Sequence, residues 1–243
     1  MNTSPSGASR HYSEGDYWQG RKGALSTYKV DALYEALAAA KMSLPAEFSA
    51  VEIGCGNGAF LIPWAERLRK DGHNARLFGI DIAPNAIAEA KERPSASDIT
   101  YAVSSVADFK EKCDFIIVMD VVEHVDAPNQ FLESCKPIAP VLLLHLPIEQ
   151  SLLHILTRRP SDSYRRFRHI HFYSLETAQI LINGAGYKIR HIAFTGASHA
   201  ILTIEATFMR RLLRVLRFYA YRISPATAAF LGGGSALFVC ERI

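Results

Sequence analysis

The stretch Glu52-Ile53-Gly54-Cys55-Gly56-Asn57-Gly58 concentrates the residue types best suited to holding a ligand. Alternating glycines let the main chain turn with positive φ and let a ligand lie against bare backbone. Their spacing is G-x-G-x-G, not the G-x-G-x-x-G that places a pyrophosphate on a helix N-terminus. The acid two residues before the first glycine would repel a pyrophosphate and suits a cationic amino-acid portion of a ligand. Asp81 follows Gly56 by 25 residues, at the end of a second apolar run. A carboxylate there can accept both hydroxyls of an adenosine ribose.

A second group lies further on. Asp120, Glu123 and His124 stand at i, i+3 and i+4, one face of a helix, and carboxylates with an imidazole suit a divalent ion. The spacing alone assigns no metal site. His124 is the first candidate for a general base; its other reading is a structural histidine capping a helix. His169 and His171, in Arg165-Arg166-Phe167-Arg168-His169-Ile170-His171-Phe172-Tyr173, fall beyond a fifth apolar run. The arginines there either orient a phosphate or carboxylate or belong to a solvated loop. Ser174 with Glu176 and Thr177 reads as a helix cap.

These positions need a scaffold, and the apolar pattern supplies one. Strands are expected at 50–54, 77–81, 99–103, 115–119, 141–146, 188–194 and 236–241, with helices at 32–40, 60–70, 84–91, 129–136 and 176–183. Pro84 suits the first turn of its helix, where a missing N–H is harmless. Short apolar strands separated by helices read as βαβ units around a parallel sheet, a Rossmann-like, doubly wound α/β fold. Ile223 to Cys240 carries no charge, yet Pro225 and Gly232-Gly233-Gly234 interrupt it. It reads as a helix end, a glycine turn and a strand, not a membrane span.

Composition narrows the class. Of 243 residues, 49% are apolar and 21% charged, as in a globular protein and unlike a disordered chain. The net charge of +3 gives no reason to expect nucleic-acid binding. Four cysteines without a C-x-x-C pair argue against a zinc ribbon or a disulfide framework and suit a reducing cytosol. Residues 1–30 carry no apolar signal segment, so the expected location is cytoplasmic. Charge is uneven. Residues 1–149 hold 14 basic and 20 acidic residues, and residues 150–243 hold 13 and 4. An anionic partner meeting the second half would explain this, as would a solvated basic face.

V-E-I-G-C-G-N-G with F-G-I-D-I, then C-D-F-I-I-V-M-D-V-V-E-H-V, resembles the class I S-adenosylmethionine-dependent methyltransferases. D-V-V-E-H-V and the later H-I-H-F-Y-S-L-E-T-A resemble the small-molecule branch that includes ubiquinone-biosynthesis O-methyltransferases. The resemblance covers about residues 48–195 and the last strand. It implies a mostly parallel seven-stranded sheet with an antiparallel last strand and a helical insertion before it. It implies S-adenosyl-L-methionine as cofactor, with Glu52, Gly54, Cys55, Gly56 and Gly58 around its methionine part. By the same resemblance Asp81 would hold the ribose and Ile82 would pack on adenine, while Asp120 and Val121 line the methionine side. The family's usual Gly-Asp after the third strand is Ser104-Ser105 here. Ser105 or Asp108 would then bond the adenine amine, and the Val106 N–H a ring nitrogen. His171 matches a histidine that faces the acceptor in some members. In some relatives the residues matching Asp120, Glu123 and His124 bind magnesium.

The expected organisation is one domain: an N-terminal lid over 1–47, a cofactor core over 48–195, a basic helical cap over 196–234 and a last strand over 235–243. Tyr12, Tyr17 and Trp18 would belong to the lid or to a flexible tail. In 209–222, Arg210, Arg214 and Arg217 share one face of a helix, with Arg211 and Arg222 beside them, opposite Leu212, Leu213, Leu216 and Tyr219. That helix either packs on the domain or lies on a membrane surface with its arginines toward anionic lipid. The reading is methyl transfer to a small or lipid-linked, anionic acceptor, most simply at oxygen, with peripheral contact at the inner face of a membrane. Its rivals are a non-catalytic partner subunit of the same fold and a nicotinamide-dependent oxidoreductase.

Overall fold

The computed structural model describes residues 26–93, 98–157, 159–195, 219–220 and 223–243. In chain order it contains α1 (Ser26–Ala39), β1 (Glu47–Ile53), α2 (Leu61–Lys70), β2 (Asn74–Asp81), α3 (Pro84–Glu92), β3 (Ile99–Val103) and β4 (Phe115–Met119). A 3₁₀ turn (Val122–His124), α4 (Pro128–Cys135), β5 (Val141–Ile148), α5 (Leu152–Leu156) and α6 (Arg159–Phe167) follow. The chain closes with α7 (Leu175–Gly184), β6 (Tyr187–Thr195), α8 (Pro225–Gly232) and β7 (Gly234–Arg242).

The seven strands form one sheet in the order β3-β2-β1-β4-β5-β7-β6. All neighbours are parallel except β7, which runs antiparallel to both β5 and β6. The central strands are buried on both faces, so apolar residues run continuously along β4 and most of β5. Successive residues nonetheless serve different layers, because side chains alternate across the sheet. Phe115, Ile117 and Leu143 pack with Leu33 and Leu37 of α1 and with Leu61, Trp64 and Leu68 of α2. Ile116, Val118, Leu142 and Leu144 pack with Leu132 of α4 and with Ala178 and Ile182 of α7. Pro84 and Pro128 open their helices, and Ser174 and Thr177 form a reciprocal capping box at α7.

The sheet is built outward from β1 to β3 and then returns to β4. The strand order therefore reverses between β1 and β4, and the loops leaving their carboxyl ends diverge to open a crevice. All seven expected strands are present. The loop after β5 is less simple than the sequence reading, since α5 and α6 fold within it. The first helix also begins earlier, at Ser26 instead of Ala32. Tyr12, Tyr17 and Trp18 and nearly all of the 209–222 helix lie outside the described residues. Among the described residues, no helix is long and apolar enough to cross a membrane. The four cysteines are buried free thiols.

Candidate active site at the carboxyl edge of the sheet

The loop after β1 turns on three glycines in the left-handed region, with φ of 72° at Gly54, 53° at Gly56 and 75° at Gly58. The Ile80 carbonyl accepts the N–H groups of Gly54 (2.8 Å) and Cys55 (3.1 Å), which ties the loop to the end of β2. Asp81 completes that tie. Its Oδ2 accepts the Gly56 N–H and its Oδ1 the Ala83 N–H, each at 2.8 Å. The side chain is buried, and each oxygen retains a lone pair for a further donor. A Cβ at Gly54 would lie 2.5 Å from Val121 Cγ2, and one at Gly58 would lie 2.5 Å from the Tyr101 hydroxyl oxygen. Gly54 and Gly58 are therefore required by the walls of the crevice as well as by the turn.

Glu52 points into the structure. It is buried, and its Oε2 has no hydrogen-bond partner. Burial pushes its carboxyl well above the ordinary range, Lys29 pulling it down and Asp81 pushing it further up. Cys55 is buried with its Sγ 3.6 Å from the Gly56 carbonyl, so it offers the crevice main chain and not a thiolate. Ile82 stands 44% exposed beyond β2, an apolar surface open to a flat ligand. Past β3, the Ser105 hydroxyl donates to Asp108 Oδ2 (2.6 Å) and accepts the Asp108 N–H (3.3 Å). Ser105, Asp108 and the half-buried Val106 thus make one small turn at the same edge.

Asp120 corrects an expectation. It does not share a helix face with Glu123 and His124, because it sits in a left-handed turn (φ 57°) and only the three residues Val122–His124 form a 3₁₀ turn. Its carboxylate is already engaged. Oδ2 lies 2.5 Å from Lys29 Nζ, and Oδ1 lies 2.5 Å from Nδ1 of the buried His145. His145 Nε2 continues to the Thr195 hydroxyl at 2.5 Å. Burial alone would raise the Asp120 carboxyl, yet Lys29 and His145 hold it well below the usual range. Both Asp120 oxygens are therefore committed to Lys29 and His145 instead of completing a set with Glu123 and His124, although the Asp120 charge still pushes the Glu123 carboxyl up. Lys29 and His145 were not singled out in the sequence, although each left a signal. Lys29 lies on the same helical stripe as Leu33 and Leu37, and His145 interrupts the apolar run of β5.

The histidines divide. His124 Nδ1 lies 3.3 Å from the Arg168 carbonyl, and its ring meets His169 edge-on at 4.8 Å. His171 is tied by its N–H to the Glu123 carbonyl (3.1 Å), and its Nε2 is buried with no partner. A cavity of about 470 Å³ opens beside them, lined by Pro160, Tyr164, Arg165, His169, Ile170 and Phe172. His169, not His171, lines that cavity.

A methyltransferase-domain family model matches residues 18–192, which contain every residue of the crevice. The ubiquinone biosynthesis O-methyltransferase of Glaesserella parasuis is 33% identical over 96 residues, 35% of this chain and 38% of that protein. The enzyme of the same name from Bartonella quintana is 38% identical over 89 residues, 35% of this chain and 34% of that protein. The chain thus matches little more than a third of the length of these curated relatives. Magnesium protoporphyrin IX methyltransferase from Synechocystis PCC 6803, solved with bound SAM, superposes with a TM-score of 0.59 at 16% identity, over the whole of both chains. At that identity the likeness is one of fold. With the family model spanning most of the sequence and all of the glycine loop, the chain belongs to the methyltransferase-domain family.

Proposed function

We propose that the protein transfers a methyl group from S-adenosylmethionine to an oxygen of a small or lipid-linked acceptor. The observation that carries this reading is the pair of buried acids on one glycine turn, Asp81 holding it together and Glu52 keeping an unpartnered oxygen beside it. The donor set fits an adenosyl amino acid. Asp81 has acceptor capacity left for ribose hydroxyls, and Ile82 offers an apolar face for adenine. Glu52, with its unpartnered oxygen, answers an ammonium. The sulfonium supplies an activated methyl group, so the protein's tasks are alignment and exclusion of water. For a phenolic or sugar hydroxyl, His124 is the first candidate to take the acceptor proton. Arg165 at the cavity is suited to an anionic group of the acceptor. The O-methyltransferase relatives support oxygen as the atom methylated.

Calorimetric titration with S-adenosylhomocysteine tests the reading. Asp81→Ala removes the bonds to the Gly56 and Ala83 N–H groups together with the ribose acceptor. Charge-assisted bonds are worth about 1.5–3 kcal/mol each, so affinity should fall by about 100-fold or more. Undiminished binding in Asp81→Ala, or none in the wild type, would sink the proposal.

A further inference from the structure

β5 crosses the core as Val141-Leu142-Leu143-Leu144-His145-Leu146, where a leucine at position 145 would bring no polar group to satisfy. The histidine is nonetheless buried, and both of its ring nitrogens are used. Side chains alternate across the sheet, so His145 faces the same layer as Leu143, the layer that α1 covers. There it bridges strands that are not neighbours. Nδ1 lies 2.5 Å from Asp120 Oδ1, just past β4, and Nε2 reaches over β7 to the buried Thr195 hydroxyl at the end of β6, also at 2.5 Å. Asp120 Oδ2 continues the chain to Lys29 of α1, the helix that packs on β6 and β7. An ionised carboxylate only accepts, so His145 Nδ1 carries the proton toward Asp120.

What this bridge holds is the turn after β4. Asp120 lies in left-handed backbone at φ 57°, which a residue other than glycine keeps only where its surroundings hold it there. Position 145 holds it twice. The His145 carbonyl accepts the Asp120 N–H at 3.2 Å, and the ring takes the carboxylate. The next residue, Val121, is the wall that leaves no room for a Cβ at Gly54. A displaced Asp120 would therefore carry Val121 across the glycine turn and unseat Lys29 at the start of α1. We propose that His145 is a positioning residue: its ring bond to Asp120 sets the Val121 wall of the crevice and the seat of α1, and through them the fit of the adenosyl amino acid. Thr195 supports the far nitrogen and only aims the ring. The effect on cofactor affinity rests on the methyl-transfer reading; the bridge does not.

The test separates the two ring nitrogens. In His145→Asn the amide nitrogen falls where Nδ1 stands, which keeps the Asp120 bond and loses Thr195. In His145→Gln it falls where Nε2 stands, which keeps Thr195 and loses Asp120. The full-length wild type and both variants are titrated with S-adenosylhomocysteine, and amide hydrogen exchange is followed over Ser26–Ala39 and residues 120–124. His145→Gln should lose about 10-fold or more in affinity as the wall moves, and should exchange faster in both segments. His145→Asn should stay near wild type in both measurements. A role confined to packing would lower affinity and protection alike in the two variants, and that result overturns the proposal; so does a His145→Gln variant that matches wild type. A wild type that binds no S-adenosylhomocysteine fails the cofactor reading alone, and the exchange pattern still supports or overturns the bridge. Long-range ¹H–¹⁵N spectra of the wild-type imidazoles require neither His145 variant to fold. The ring whose signals move in Thr195→Val should carry its proton on Nδ1, and a bare Nδ1 there overturns the proposal.

Discussion

Glu52 and Asp81 flank the same turn in opposite circumstances. Asp81 has two main-chain donors, whereas Glu52 is buried with one oxygen unpartnered and its carboxyl pushed well above the ordinary range by burial. A group whose folded pKa is raised gives its stabilisation in full below the unfolded value and loses it as pH rises through the folded one. The free protein should therefore lose Glu52's contribution with rising pH. A ligand ammonium placed beside Glu52 favours its ionised form. Binding of S-adenosylhomocysteine should then release a fraction of a proton below the raised Glu52 pKa and tighten as pH rises toward it. Calorimetry in buffers of different ionisation enthalpy measures that release directly. Glu52→Gln should bind more weakly, release no proton and melt higher than wild type at alkaline pH. A wild-type affinity that does not change with pH would show that Glu52 does not meet the ammonium.

At the scale of elements, the glycine loop separates the demands of turning from those of fitting. Gly54 and Gly72 share the left-handed region, at φ 72° and 81°, but a Cβ at Gly54 would strike Val121 whereas one at Gly72 meets nothing within 4 Å. Left-handed backbone costs an alanine about 1–2 kcal/mol, and overpacking adds about 1–3 kcal/mol. Gly54→Ala should thus lower the melting temperature distinctly more than Gly72→Ala, with each kcal/mol worth about 2–4 °C in a chain of this size. Equal losses would mean that Val121 yields freely. The strands and the glycine turn were legible in the sequence because both are local: a buried parallel strand is a short apolar run, and a left-handed turn asks for glycine. The second half of the site was less so. Asp120, Glu123 and His124 have helical spacing, but a left-handed aspartate starts the turn, and its partner Lys29 lies 91 residues earlier. α5 is not legible in the sequence because a five-residue helix leaves too short a pattern to register. His169 and His171 look equivalent as letters. Only the main-chain bonds from Ile170 and His171 to the Glu123 carbonyl set which one lines the cavity and which one is enclosed.

The whole molecule places several features on one edge. α5 leaves the carboxyl end of β5 and α8 enters the start of the antiparallel β7, so both lie at the edge where the crevice and the cavity open. They pack against one another, and Gly233 at the end of α8 abuts His154 of α5. Together they leave Ile155 (62% exposed), Leu156 (72%) and Phe230 (64%) in solvent. Exposed apolar side chains in the half of a chain that carries most of its excess basic charge are the combination that favours adsorption to an anionic lipid surface. The basic residues are those of the second half, 13 against 4 acids over 150–243. Near such a surface each contributes about 1 kcal/mol, within a screening distance of about 10 Å at moderate salt. Docking this edge on lipid would turn the cavity toward the phase in which a lipid-linked acceptor resides. The protein should therefore sediment with phosphatidylglycerol vesicles at low salt, and far less with phosphatidylcholine vesicles or at about 1 M salt, where screening shortens to about 3 Å. Ile155→Asp with Leu156→Asp should weaken sedimentation while leaving S-adenosylhomocysteine affinity unchanged, since neither residue belongs to the crevice. Equal sedimentation with both lipids at all salt concentrations would assign the adsorption to apolar surface alone. Failure to sediment with anionic vesicles at low salt would leave the exposed α5–α8 face without a lipid role and point to an acceptor taken from solution.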